Sequence, residues 1–168
     1  FKQALTHTEW NTFELDGQRK PWMNKTLWMQ AVLPVLLRYL DIDICHFTNA
    51  IASLWAPCPS VVTIHDMTLW MFPQYHYRRR LLAMRPFVPV AVQRAAAVIA
   101  VSEATKADVL RILGLPESRV HVVYEAPSPV FQPVESGAWL QEVRQRYRLP
   151  ERFLLYVGTI EPRKNLVR

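Results

Sequence analysis

A histidine and an aspartate close the β-branched run Ser60-Val-Val-Thr-Ile-His-Asp66. A histidine just past an apolar strand projects from the edge of a sheet, where its imidazole can donate to a hydroxyl or shuttle a proton near neutral pH. The plainer reading of His65 is a strand-end residue satisfied by a loop carbonyl. Asp66 can orient the imidazole or hold a nearby backbone. A second group stands at Gly158-Thr-Ile-Glu-Pro-Arg-Lys-Asn165. There an apolar run ends in glycine, a short loop follows, and two cations, Arg163 and Lys164, precede a predicted helix. The free N–H groups and dipole of a helix start favour a phosphate; Arg adds a bidentate fork and Lys a point charge. The spacing is not that of a P-loop, which needs Gly-x-x-x-x-Gly-Lys-Ser/Thr. The alternative is a solvated basic turn.

Between these groups, Tyr75 to Arg94 carries Arg78, Arg79, Arg80, Arg85 and Arg94 among Leu, Met, Phe and Val. Such a helix either lies on an anionic membrane surface or is an ordinary surface helix with one packed face. Asp41 and Asp43 have a spacing that a divalent cation can use. They precede a strand, at the end opposite the chemistry, so no metal is expected. Ser102 lacks the Gly-x-Ser-x-Gly elbow of a nucleophile and reads as a helix cap. Cys45 and Cys58 match no zinc, redox or disulfide-framework spacing and suit a reducing compartment.

These groups must be held by regular elements. From Asn24, a candidate cap, the residues Leu27, Trp28, Ala31, Val32, Val35, Leu36 and Tyr39 recur at helical spacing. Pro34 inside this run predicts a kink or two pieces. Strands are predicted at Asp43–Thr48, Ser60–His65, Ala97–Val101, Arg119–Tyr124 and Phe153–Gly158. Helices are predicted at Tyr77–Ala96, bent by Pro86 and Pro89, at Glu103–Leu113, stopped by Gly114, at Gly137–Arg148, and from Lys164 onward. Phe1 to Trp22 show no period and read as loop. Apolar strands alternating with helices predict an α/β fold, a Rossmann-like parallel sheet with helices on both faces. Such a sheet presents its chemistry at the carboxyl ends of its strands. His65-Asp66, Ser102-Glu103 and Thr159 to Lys164 all fall there.

With 168 residues the chain has room for about one domain. It begins with Phe1, without a cleavable signal pattern, and it ends in what resembles the first turn of a helix, so both ends read as cuts. No apolar run approaches the roughly 20 residues of a membrane span. Lys and Arg number 20 against 14 Asp and Glu, a net charge of +6. That surplus favours anionic partners. Nucleic acid is not among those expected: no recognised motif is present, and the arginines cluster on one helix.

In order along the chain, these segments resemble glycosyltransferase family 4. The stretches that carry the likeness are Leu27-Trp-Met-Gln30 with Leu33-Pro34, Asp43-Ile-Cys-His-Phe-Thr-Asn49, Val62-Thr-Ile-His-Asp-Met67 with Phe72-Pro73, Val98-Ile-Ala-Val-Ser-Glu103 with Lys106, Val122-Val-Tyr-Glu-Ala-Pro127 with Phe131, and Leu155-Tyr-Val-Gly-Thr-Ile-Glu-Pro-Arg-Lys-Asn-Leu166. The resemblance implies a partial GT-B fold, two Rossmann-like domains facing a cleft, with the acceptor on the first and the donor mainly on the second. The implied division is 1–23 as loop or remnant of an upstream element, 24–134 as a partial N-terminal acceptor-side domain, 135–152 as interdomain helix and linker, and 153–168 as the start of a C-terminal donor-binding domain.

The implied activity is retaining transfer of a sugar from a nucleotide-sugar donor, without a metal or other cofactor, to an acceptor such as a growing polysaccharide or lipid-linked glycan. By motif match, His65 would reach the donor sugar and Asp66 would support it. Lys164, helped by Arg163, would neutralise the departing diphosphate. Thr159 stands where many members carry an arginine. The family's Gly-rich acceptor loop and its donor-holding glutamate pair are expected outside these 168 residues, so the chain by itself is expected to be inactive. The implied location is the cytoplasm, with peripheral contact at the anionic inner membrane face. The competing reading is a non-catalytic Rossmann-like module that binds an anionic partner or membrane surface.

Overall fold

The computed structural model describes residues 25–134 and 137–166. The expected loop over Phe1–Trp22, the Asn24 cap and the last two residues lie outside that range. The first helix, α1 (Lys25–Tyr39), runs through Pro34 as one element. It is followed by β1 (Cys45–Phe47), β2 (Ser60–Ile64), the short α2 (Thr68–Met71), α3 (Arg78–Arg94), β3 (Ala97–Ala100), α4 (Glu103–Leu113), β4 (Val120–Val122) and α5 (Gly137–Arg146). The helix α3 likewise holds Pro86 and Pro89 without interruption. Each proline removes one backbone donor. The buried faces offset that loss: Met29 and Leu37 of α1, and Val88, Ala91 and Val92 of α3 are buried.

The four strands form one parallel sheet in the order β1-β2-β3-β4. The register sets Phe47 beside Val62, Val62 beside Val98, and Val98 beside Val120. This is the α/β, Rossmann-like arrangement expected from the alternation of elements. A parallel pair cannot be joined by a tight turn, so each connection must cross over the sheet, and right-handed crossovers are the rule. With strands in sequential order, such crossovers lay α3 and α4 on the same face. That face is the core. Val62, Ile64, Val98 and Ala100 are fully buried there together with Val92 and Val109. Each of these valines and Ile64 contributes about 1.5–3 kcal/mol when fully buried. The strands are shorter than their apolar runs, because a ladder stops where its neighbour does. The Val123 N–H still bonds the Ala100 carbonyl, 3.0 Å away, one step past β4.

Two arginines of the basic helix are anchors. Arg85 donates to the Leu69 carbonyl at the end of α2, and Arg94 donates to the Leu54 carbonyl while lying over the Trp55 ring. Arg119 donates to the carbonyls of Val92, Gln93 and Ala95 at the end of α3, where unpaired carbonyls and the negative pole of the helix favour a cation. Gln30 of α1 donates to the Ala52 carbonyl and accepts from the Leu54 N–H, pinning the loop after β1. Cys45 opens β1, and burial pushes its thiol above the ordinary range, with Cys58 adding to the shift.

Two expected elements are different in the structure. Phe153–Gly158 is irregular, and Leu154, Leu155 and Val157 are exposed. Its apolar run is that of a buried strand, but no strand among the described residues pairs with it. A lone strand leaves its backbone polar groups unpaired and its side chains uncovered. The helix expected from Lys164 is a single 3-10 turn, Pro162–Lys164, ended by Asn165 at φ +52°.

The helix α4 has the most complete local signals. Ser102 Oγ accepts from the Thr105 N–H, and Gly114 closes the helix in the left-handed region at φ +64°. Around Gly114 there is open space, so only the backbone angle disfavours a side chain. Gly114→Ala is therefore expected to cost about 1–2 kcal/mol. Chemical denaturation of the variant would show it as a lower midpoint with an unchanged slope.

Candidate active site

The carboxyl ends of all four strands meet around His65. Its ring Nε2–H donates to the Thr48 carbonyl, one residue past β1, at 2.9 Å. Its Nδ1 lies 3.0 Å from the Glu125 carboxylate, in the segment after β4. Its backbone carbonyl accepts from the Thr105 hydroxyl of α4, the helix that follows β3. Thr105 is buried, and its own N–H is bonded to the Ser102 cap. The structure thus supplies the loop carbonyl of the plainer reading and, beside it, a carboxylate that no reading of the sequence singled out. The ring remains about half exposed, at 47%.

Asp66 does the second of its two expected jobs. Its carboxylate accepts from the backbone N–H and the hydroxyl of Thr68, an Asx turn that starts α2. His76 Nε2 lies 3.1 Å from the same hydroxyl. The chain Asp66–Thr68–His76 therefore shapes the loop leaving β2.

His65 and Asp66 line an open cavity of about 800 Å³. Gln74, His76 and Arg80 line it from the segment leading into α3, and Asn49 from the loop after β1. Its lining also includes Ile160, Glu161 and Pro162. The two sequence groups, around His65 and around Lys164, are therefore brought to one cavity, but through different residues than expected. Lys164 is exposed and is not among the described residues that line it. The Lys164 loop is shaped by Gly158, at φ +157°, where a side chain would meet the Tyr156 hydroxyl at 2.8 Å. The Tyr156 hydroxyl donates to the Thr159 carbonyl, and the Thr159 hydroxyl to the Glu161 carboxylate. Asp41 and Asp43 precede β1, at the sheet end away from the cavity.

Sequence reasoning missed Glu125, Thr105, His76 and Arg80. Glu125 had a faint signal, a charged residue within the quoted Val122–Pro127 stretch just past a strand. Arg80 sat in a run of three arginines, and nothing in that run sets one apart from the others.

A parallel α/β sheet with a cavity at its carboxyl edge defines the Rossmann-like class of ligand-handling domains. Residues 12–126 match the family model described as Glycosyltransferase Family 4, and the chain belongs to that family. It is 31% identical over 108 residues to the O-antigen chain mannosyltransferase B of Escherichia coli, covering 64% of this chain and 28% of that protein. It is 33% identical over 75 residues to the serotype-specific mannosyltransferase WbdA of Escherichia coli, covering 44% of this chain and 9% of that protein. The chain thus spans little more than a quarter of the first of these relatives.

The Asx turn gives Asp66 a part in the fold that a purely chemical residue would not have. Asp66→Ala is expected to lower stability by about 0.5–1.5 kcal/mol through the lost backbone hydrogen bond. The measurement is the thermal midpoint compared with Asp66→Asn, which keeps an accepting oxygen and should lose less.

Proposed function

We propose that this chain is the acceptor-side part of a retaining glycosyltransferase. The enzyme takes a sugar from a nucleotide-sugar donor and passes it to a glycan, either a growing polysaccharide or a lipid-linked oligosaccharide. The names of the relatives support mannose as the sugar. The observation that carries the reading is the position of His65, at the carboxyl end of β2 and on the wall of the 800 Å³ cavity that the Ile160–Pro162 segment also lines. In this reading the ring donates to a hydroxyl of the donor sugar. Lys164, assisted by Arg163, turns with its loop toward the donor diphosphate. Negative charge builds on that leaving group as the glycosidic bond breaks, so cations placed there in advance lower the barrier. The two cations supply the charge, and no metal enters the scheme. Asp66 supports His65 by holding the turn that follows it.

Among the described residues no helix is long and apolar enough to cross a membrane. Arg78, Arg79 and Arg80 stand exposed at the start of α3, while Arg85 and Arg94 are engaged with carbonyls. The first three support peripheral contact with an anionic membrane face, on the cytoplasmic side where a nucleotide-sugar is available.

The 168 residues alone are expected to turn over no nucleotide-sugar, since the donor-holding part of the family lies beyond them. The decisive test uses the full-length enzyme. His65→Ala should lower kcat more than it raises KM, with an unchanged thermal midpoint. Lys164→Ala should lower turnover by more than about tenfold, since a charge-assisted contact is worth about 1.5–3 kcal/mol. Arg163→Ala should be milder. A lowered midpoint with wild-type single-turnover rates in His65→Ala would leave His65 a packing residue and remove the basis of the reading.

A further inference from the structure

We propose that Glu125 is the positioning residue of His65. The inference rests on the reading of His65 just given and adds to it the group that sets the ring's orientation. Three observations carry it. First, Glu125 Oε1 lies 3.0 Å from His65 Nδ1, and Nε2 faces the Thr48 carbonyl at 2.9 Å. A carbonyl only accepts, so the Thr48 contact uses the Nε2–H, and the Glu125 carboxyl group is the partner that Nδ1 faces. The imidazole is held at both ends, in one plane and one rotamer. Second, Glu125 is delivered by the sheet. Val123 is still tied to Ala100 by a backbone bond, so Glu125 stands two residues beyond the last ladder contact of β4. From there it reaches over the end of β3 to a residue at the end of β2. Third, the pair is exposed, 47% for His65 and 66% for Glu125. An exposed ion pair contributes little to stability. A contact that reaches across two strand spacings and adds little to folding is accounted for by what it does to the ring.

The two holds are not alike. The Thr48 carbonyl is a neutral acceptor, next in the chain to Asn49 of the cavity wall, and a sugar hydroxyl can take its place. The carboxylate is the stronger acceptor and stays on Nδ1. Glu125 thus fixes the ring while Nε2–H is passed from Thr48 to the donor. Among the described residues, the other ionisable side chains of the cavity wall are Asp66, engaged with Thr68, and Tyr75, His76, Tyr77, Arg80 and Glu161.

The test uses the full-length enzyme and the variants Glu125→Ala, Glu125→Gln, His65→Ala and the double variant His65→Ala/Glu125→Ala. Glu125→Ala should lower kcat roughly tenfold, with KM and thermal midpoint unchanged. Glu125→Gln, which keeps an accepting oxygen, should recover part of the loss. The double variant should be no slower than His65→Ala, because the two residues act as one unit. In enzyme labelled with nitrogen-15 histidine, the ring signals of His65 should move in Glu125→Ala while those of His46 and His121 stay. Unmoved His65 signals, or a Glu125 penalty that adds in full to that of His65→Ala, would overturn the proposal. Wild-type turnover in His65→Ala together with moved ring signals would refute the catalytic reading of the site, yet uphold Glu125 as the group that holds the ring.

Discussion

Parallel pairing is the constraint on which the site depends. Because β1 to β4 all run the same way, their carboxyl ends lie along one edge of the sheet. Each end brings a different group to His65: a carbonyl from the end of β1, a hydroxyl from the helix after β3, a carboxylate from the segment after β4. An antiparallel sheet of the same residues would send alternate ends to opposite edges and leave the histidine with one of these three partners. The buried valines and isoleucine that knit the strands together are thus also what hold the polar groups at hydrogen-bonding distance.

Around that edge, charge is used in two ways. Arg85, Arg94 and Arg119 point their guanidinium groups at backbone carbonyls, where they close helix ends and hold the loop after β1. Gln30 pins the same loop with both ends of its amide. That loop carries Thr48 and Asn49, so anchors far from the cavity fix part of its wall. Arg80 instead lines the cavity, and Arg78 and Arg79 remain exposed. The surplus of positive charge in the composition is therefore partly structural, and only the remainder is free to meet an anionic ligand or surface.

The segment 153–158 shows what a strand requires besides its own residues. It is an apolar run like β2 and β3, yet it forms no ladder with any described strand and exposes Leu154, Leu155 and Val157.

The sequence by itself determined the elements and their limits wherever local chemistry decides. Ser102 and Gly114 bounded α4, the β-branched runs marked β2 and β3, and the alternation of strand and helix implied a parallel sheet. It also brought His65 and Asp66 to the working edge, since a polar pair after an apolar strand has few other places to go. The partners of His65 were beyond its reach. Thr48, Thr105 and Glu125 are 17, 40 and 60 residues away along the chain, and no local propensity records such a distance. Only the register of the strands closes it. The same holds for the failures: the strand at Phe153–Gly158 and the helix from Lys164 were read from local pattern, but pairing and packing are decided by neighbours in space, and pattern alone does not provide them.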